Sequence, residues 1–238
     1  MSYNIGLLAL SFFIAVFGSF TALQLAIRIP TAENKSLVYW VLTAGLALGG
    51  GGIWSMHFVG MLAMEMPFEM SFDVALTVVS FVVAIVFVSL GFLIAGKDLL
   101  GDMSLLAGGV VAGLGVSAMH YIGMYSMIIP ADVSYDATIV TLSVVIGVVA
   151  ATVALWLAFN LRGNIQRFGS AFIMGVAVCG MHYTGMYAVK MTPNASIELA
   201  SGISGSGLAG TVSIISAALL LSILYLAQLR SKQRESLA

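Results

Sequence analysis

The three histidines of this 238-residue chain all stand in the same frame. Met56-His57-Phe58-Val59-Gly60-Met61, Met119-His120-Tyr121-Ile122-Gly123-Met124 and Met181-His182-Tyr183-Thr184-Gly185-Met186 share the pattern M-H-[FY]-x-G-M, with the histidines 63 and 62 residues apart. Imidazole binds zinc, copper and iron, and thioether sulfur selects Cu(I). Three imidazoles flanked by methionines point to one metal site assembled from three copies of a segment. Candidate ligands are His57, His120 and His182, with Met61, Met124 and Met186 a turn further on, since residues i and i+4 share a helix face. At i+7 that face continues with Met64 and Met127, where the third copy has Val189. Met56, Met119 and Met181 are turned about 100° from the histidines they precede. They are candidates for the same shell or for packing on an adjacent helix. Cys179 joins the face in one copy only and reads as a small buried hydrophobe. Tyr121 and Tyr183 are matched by Phe58, so a phenol is not needed three times and these rings read as packing.

Eleven of the 14 methionines fall within 56–70, 119–127 and 181–191. Methionine used as filler would be spread more evenly, so the clustering favours copper over zinc. Haem held by two of the three histidines is a further alternative.

The elements that must position these residues are membrane helices. The chain is 61% hydrophobic and 8% charged, against about 25% charged for a soluble domain. A net charge of −1 leaves no basic surface for nucleic acid, and a single cysteine excludes an intrachain disulfide. A membrane helix takes about 20 mostly apolar residues, and seven such runs are expected near 4–27, 37–64, 73–96, 104–128, 138–160, 168–190 and 209–228. The first is long enough to span and lacks a basic leader, so no cleaved signal peptide is expected. With the N-terminus outside, Arg28, Lys35, Lys97, Arg162, Arg167, Arg230, Lys232 and Arg234 lie inside, and Lys190 alone lies outside. That asymmetry puts the C-terminus in the cytoplasm. Glu65, Glu69, Asp73, Asp132, Asp136 and Glu198 then fall on the outer side.

Three parallel helical hairpins of about 62 residues precede a final helix. A glycine stands seven residues before each histidine (Gly50, Gly113, Gly175) and another three after it (Gly60, Gly123, Gly185). Small residues let membrane helices approach, so the second, fourth and sixth helices are expected to form an inner cluster. The glycines after the histidines would leave room around the imidazoles. The third and fifth, rich in Val, Ile and Leu, are expected to face lipid. Pro67, Pro130 and Pro193 are stops near the outer surface. Residues 194–210 read as a mobile outer loop. Residues 1–230 form one seven-helix domain, and 231–238 form a cytoplasmic tail or the start of a linker.

The threefold motif, with M-H-Y-T in its third copy, resembles the MHYT domain, a bacterial membrane sensor module, over essentially residues 1–230. The resemblance implies a copper site that senses a diatomic gas such as O2, CO or NO. It also implies a cytoplasmic output partner, such as GGDEF and EAL domains of cyclic di-GMP signalling or a histidine kinase. Carried over by position, the ligand candidates are the Met-His-Met sets of the three motifs. Phe58, Val59 and Ile122 depart from the family pattern without removing a candidate ligand. The expectation is an all-α, non-enzymatic sensor of the bacterial inner membrane, its metal toward the periplasm, in contact with lipid and open to homodimerisation. One rival is a zinc hydrolase using the three histidines, with Glu65, Asp73, Asp132 or Asp136 as acid or base. Another is a copper transporter, which the glycine and aliphatic inner halves of the even helices disfavour.

Overall fold

A computed structural model describes residues 2–97, 101–160, 163–194, 196–197 and 201–235, with backbone alone for Lys97 and for 226–235. Arg162 and Glu198 lie outside the described residues. Long apolar runs become helices because a bilayer offers no partners to backbone N–H and C=O groups, which must pair within the segment. Among the described residues there are seven such helices: α1 (Ile5–Ala26), α2 (Asn34–Ala63), α3 (Val74–Lys97), α4 (Asp102–Tyr125), α5 (Ala137–Asn160), α6 (Asn164–Tyr187) and α7 (Gly205–Glu235). Six are long and apolar enough to cross a membrane; α6, which opens on Asn164, Gln166 and Arg167, falls outside that group. The chain is an all-α membrane protein. Polar side chains start the helices. Asn4 Oδ1 accepts from Leu7 N at 3.1 Å, and Asp73 Oδ1 from Leu76 N at 2.8 Å.

The boundaries differ from expectation at specific points. α6 and α7 each begin four residues early, and α7 continues as helix through the charged stretch to Glu235. α4 and α6 end three residues early, because the chain turns into short strands. These are β1 (Ser71–Phe72), β2 (Met127–Ile128), β3 (Ala131–Tyr135), β4 (Val189–Pro193) and β5 (Ile203–Ser204). β1 lies between β2 and β5 in one antiparallel sheet, and β3 pairs with β4 in another. The expected loop over 194–210 is therefore part strand and, from Gly205, helix. Met64, in extended conformation at the end of α2, Met127 in β2 and Val189 in β4 have left the helical face they were expected to continue.

α1 to α6 form a ring in chain order, closed by α6 against α1, and α7 packs outside on α1 and α2. The glycines before the histidines seat the odd helices and α7, not one another. A methyl on Gly50 would meet Phe81 of α3, on Gly113 Val148 of α5, and on Gly175 Val16 of α1. The Gly49–Gly52 run serves three neighbours: Gly49 and Gly50 face α3, Gly51 faces Leu220 of α7, and Gly52 faces Gly18 of α1. The inner cluster of even helices is thus a ring with odd helices wedged between. The wedges keep a lipid-type face, with Val78, Val82 and Val86 of α3 and Leu142, Val145 and Val149 of α5 exposed.

α2 is α-helical at both ends and π-helical over Leu46–Trp54. α4 and α6 are α-helical throughout, so this feature breaks the threefold pattern.

Candidate metal centre

His57, His120 and His182 lie five or six residues before the ends of α2, α4 and α6, about 8–9 Å along the helix. All three are buried. Their Nδ1 atoms face one another: 3.1 Å from His57 to His182, 3.1 Å from His120 to His57 and 3.3 Å from His182 to His120. Among the described residues this is the one cluster of histidine, cysteine or carboxylate groups with the spacing to hold a metal.

The rings are packed cyclically. A methyl on Gly60 would stand 2.6 Å from His182 Nε2, on Gly123 2.3 Å from His57 Nε2, and on Gly185 2.3 Å from His120 Nε2. Each imidazole thus lies flush against the glycine of a different even helix, so the room expected after each histidine is used by a neighbour's ring. Each ring is also met edge-on by the aromatic residue after it, Phe58, Tyr121 or Tyr183, at 4.7–4.9 Å between centroids.

Those aromatics do more than pack. The Tyr121 hydroxyl bonds Ser143 of α5, and the Tyr183 hydroxyl bonds Ser11 of α1 at 2.9 Å. Phe58 has no hydroxyl, and Trp54 one turn earlier takes its place by donating Nε1–H to Ser80 of α3 at 2.9 Å. Every even helix is therefore tied to an odd one by an aromatic–serine bond beside the triad. The ties were not anticipated, yet a signal existed: Ser80 and Ser143 each follow their histidine by 23 residues, where the third copy has Gly205. Ser11 supplies the missing hydroxyl from the other end of the chain.

The donor set fits a metal on its own chemistry. Neutral imidazole carries one proton, so two of three facing Nδ1 atoms must share a protonation state. At least one edge of the triangle then sets lone pair against lone pair, or proton against proton. A cation at the centre removes that conflict, because all three lone pairs can point to it. Tetrahedral coordination at ~2.0 Å per nitrogen spaces the ligand atoms ~3.3 Å apart, close to the observed edges. Nδ1 ligation leaves the proton on Nε2, and all three Nε2 atoms are buried with no hydrogen-bond partner.

The methionines are brought to the same end. Met61, Met124 and Met186 are fully buried, and with Met56 and Met64 they belong to an apolar cluster between the triad and the strands. Met66, Met70, Met127 and Met191 pack on its edge. Met119 and Met181 belong to the other cluster, toward the far end of the ring, and Met181 touches Gly147 of α5. Nine of the eleven clustered methionines thus gather in or against the apolar cluster beside the triad. Cys179 is buried and free, outside the three-histidine cluster.

The carboxylates have other work. Asp73 starts α3. Asp136 accepts from Thr138 N and Ile139 N at the start of α5 and pairs with Lys190 at 3.6 Å. The Ile139 N–H, then the Thr138 N–H and Lys190, hold the Asp136 carboxyl below its usual value. Asp132 Oδ2 accepts from Asn194 at 3.0 Å, and Glu65 is exposed.

Comparison with known proteins matches the same periodicity. A family model described as "MHYT: Bacterial signalling protein N terminal repeat" matches residues 50–108, 113–171 and 175–238. The bifunctional diguanylate cyclase/cyclic di-GMP phosphodiesterase MucR of Pseudomonas aeruginosa is 36% identical over 94% of this chain and 34% of its own length. The signaling protein YkoW of Bacillus subtilis is 36% identical over 79% of this chain and 24% of its own. The cyclic di-GMP phosphodiesterase NbdA of Pseudomonas aeruginosa is 31% identical over 83% of this chain and 26% of its own. The chain spans about a third or less of these relatives. No solved structure matches.

Proposed function

Because this chain belongs to the MHYT family of bacterial signalling proteins, we propose that it is the membrane-embedded sensing part of a signalling protein, built on a copper centre. The facing Nδ1 atoms of His57, His120 and His182 carry this reading. These three hold the metal. Met61, Met124 and Met186 lie on the side of the strands and complete or tune the shell, with Met56, Met119 and Met181 as secondary candidates. Copper so held would supply one-electron redox chemistry and a binding position for O2, CO or NO. Gly60, Gly123 and Gly185 admit the rings, and the aromatic–serine bonds fix each even helix against its neighbour.

Seven spans cross the bacterial inner membrane, with the histidine end toward the periplasm. The described basic residues Arg28, Lys35 and Arg167 lie by the opposite end of the ring, as the inside rule requires. Residues 1–230 act as the sensor, and 231–238 lead toward a cytoplasmic output domain of the cyclic di-GMP type named in its relatives. The exit is α7, which rests on the π-helical stretch of α2 and the residue after it: Leu220 packs on Gly51, and Ser55 and Ser216 bond by their hydroxyls. Ser55 is two residues from His57, so a shift of that histidine reaches α7 directly. The hydrolase alternative weakens because Asp73, Asp132 and Asp136 are engaged in helix starts and strand contacts.

Elemental analysis of detergent-purified protein is the direct test. One copper per chain is expected, and His120→Ala should remove it; copper unchanged in that variant would defeat the assignment.

A further inference from the structure

Beneath the triad, on the side away from the methionine cluster, the ring holds a partly open cavity of about 40 Å³. Its wall includes Ile53, Val116 and Val178. These stand four residues before His57, His120 and His182, one turn below each. Met181, beside His182, joins them, and Ala151 and Ala154 of α5 line the flank. No polar side chain lines it.

We propose that this cavity is a binding site for a neutral apolar molecule of two or three heavy atoms, the size class of a diatomic gas. A single water needs roughly 10–15 Å³ of such space and two to four polar partners. This cavity has the room and lacks the partners. Apolar cavities of this kind stay dry and accept apolar gases such as xenon. An ion or a hydrogen-bonding solute would lose its hydration with nothing in return. The apolar wall begins at the residues one turn below the imidazoles, while the methionine cluster lies on their other side. A ligand held here lies one turn below the triad without touching its rings, and the wholly apolar wall selects neutral molecules over anions. The sensing role assigned to this site rests on the metal reading above; its occupancy does not.

The test uses the full chain, stripped of metal and purified in detergent, with xenon as probe. Xenon-129 NMR should show a saturable bound component that carbon monoxide competes away and azide does not. Ala151→Phe fills the space and should weaken xenon binding by about tenfold or more. Ala154→Leu is a milder filler should the first variant misfold, and Val116→Ala, which enlarges the cavity, should retain binding. Wild type without a saturable component, xenon binding unaffected by either filler in folded protein, or competition by azide would overturn the proposal. Copper content measured on untreated samples separates the two readings. Bound xenon in protein that carries no copper defeats only the proposed function, and stoichiometric copper without bound xenon defeats only the cavity.

Discussion

At the residue scale the site is a cycle of three rings and three glycines, and the glycines are the sharper probe. The histidine triad was legible because identical motifs at one period can meet only if parallel helices bring them to one level. The cyclic partner of each ring was not legible, since spacing says that Gly123 lies near a ring but not that the ring is His57. Gly123→Ala would set a methyl 2.3 Å from His57 Nε2, where something must move. Overpacking of this kind costs about 1–3 kcal/mol, and a displaced imidazole misdirects its Nδ1. Loss of ligand orientation typically lowers metal affinity about 10–100-fold. Gly185→Ala should act alike through His120, and Gly60→Ala through His182. Gly180→Ala is the internal control, because nothing lies within 4 Å of its added methyl. There helix propensity alone operates, a gain of up to about 1 kcal/mol. Thermal midpoints and copper titrations of the four variants should therefore split by sign, three down and one level or up. A uniform response would mean that the rings do not depend on the glycine seats.

At the element scale the helices were readable from apolar run length, and their ends were not. Two-residue strands such as β1 carry no periodicity to detect, and the sheet that stops α4 forms only when Ser71-Phe72 pairs with Met127-Ile128. The π-helix was equally hidden. Four successive glycines in α2 suggested close packing, but not that Gly49 and Gly50, Gly51 and Gly52 would face α3, α7 and α1 in turn. This stretch is the point where a nearly threefold site becomes asymmetric, and π-helical segments are frequent at functional sites. α7 meets the ring there through Leu220 on Gly51, and just past the stretch through the Ser55–Ser216 bond. Ser216→Ala removes one buried hydroxyl pair, a loss of about 1 kcal/mol, and leaves every histidine contact in place. Copper content should stay at the wild-type level. A spin label at Tyr225→Cys, exposed on α7, in a Cys179→Ser background should change mobility when copper is added to the wild-type sequence. That change should be reduced or lost with Ser216→Ala. An equal response in both would place the exit elsewhere than this contact.

At the scale of the whole molecule the ring closes on a helix that the repeat does not contain. The sequence period pairs the third motif helix, α6, with the helix after it, as α2 pairs with α3 and α4 with α5. In the structure α1 takes that place and α7 lies outside. Hydropathy could not reveal this, because a bilayer-spanning run looks the same whichever neighbour it meets. The contacts that decide it are long-range: Tyr183 to Ser11 across 172 residues, and Gly175 against Val16. The serine ties tell the same story, since Gly205 stands where a third repeat would supply the hydroxyl. The first helix thus closes the ring between α6 and α2, and α7 lies outside it. A cross-link can decide between the two closures. A methyl on Gly175 would lie 2.5 Å from Val16 Cγ2 and 3.5 Å from its Cα, which brings the two Cβ positions within reach of a disulfide, whose Cβ atoms stand about 3.5–4.5 Å apart. With Cys179→Ser as background, Val16→Cys combined with Gly175→Cys should form a bond under mild oxidation in native membranes. Gly175→Cys paired with Ile215→Cys, an exposed position on α7, should not. The reverse pattern would put α7 beside α6 and return the third unit to the order of the chain.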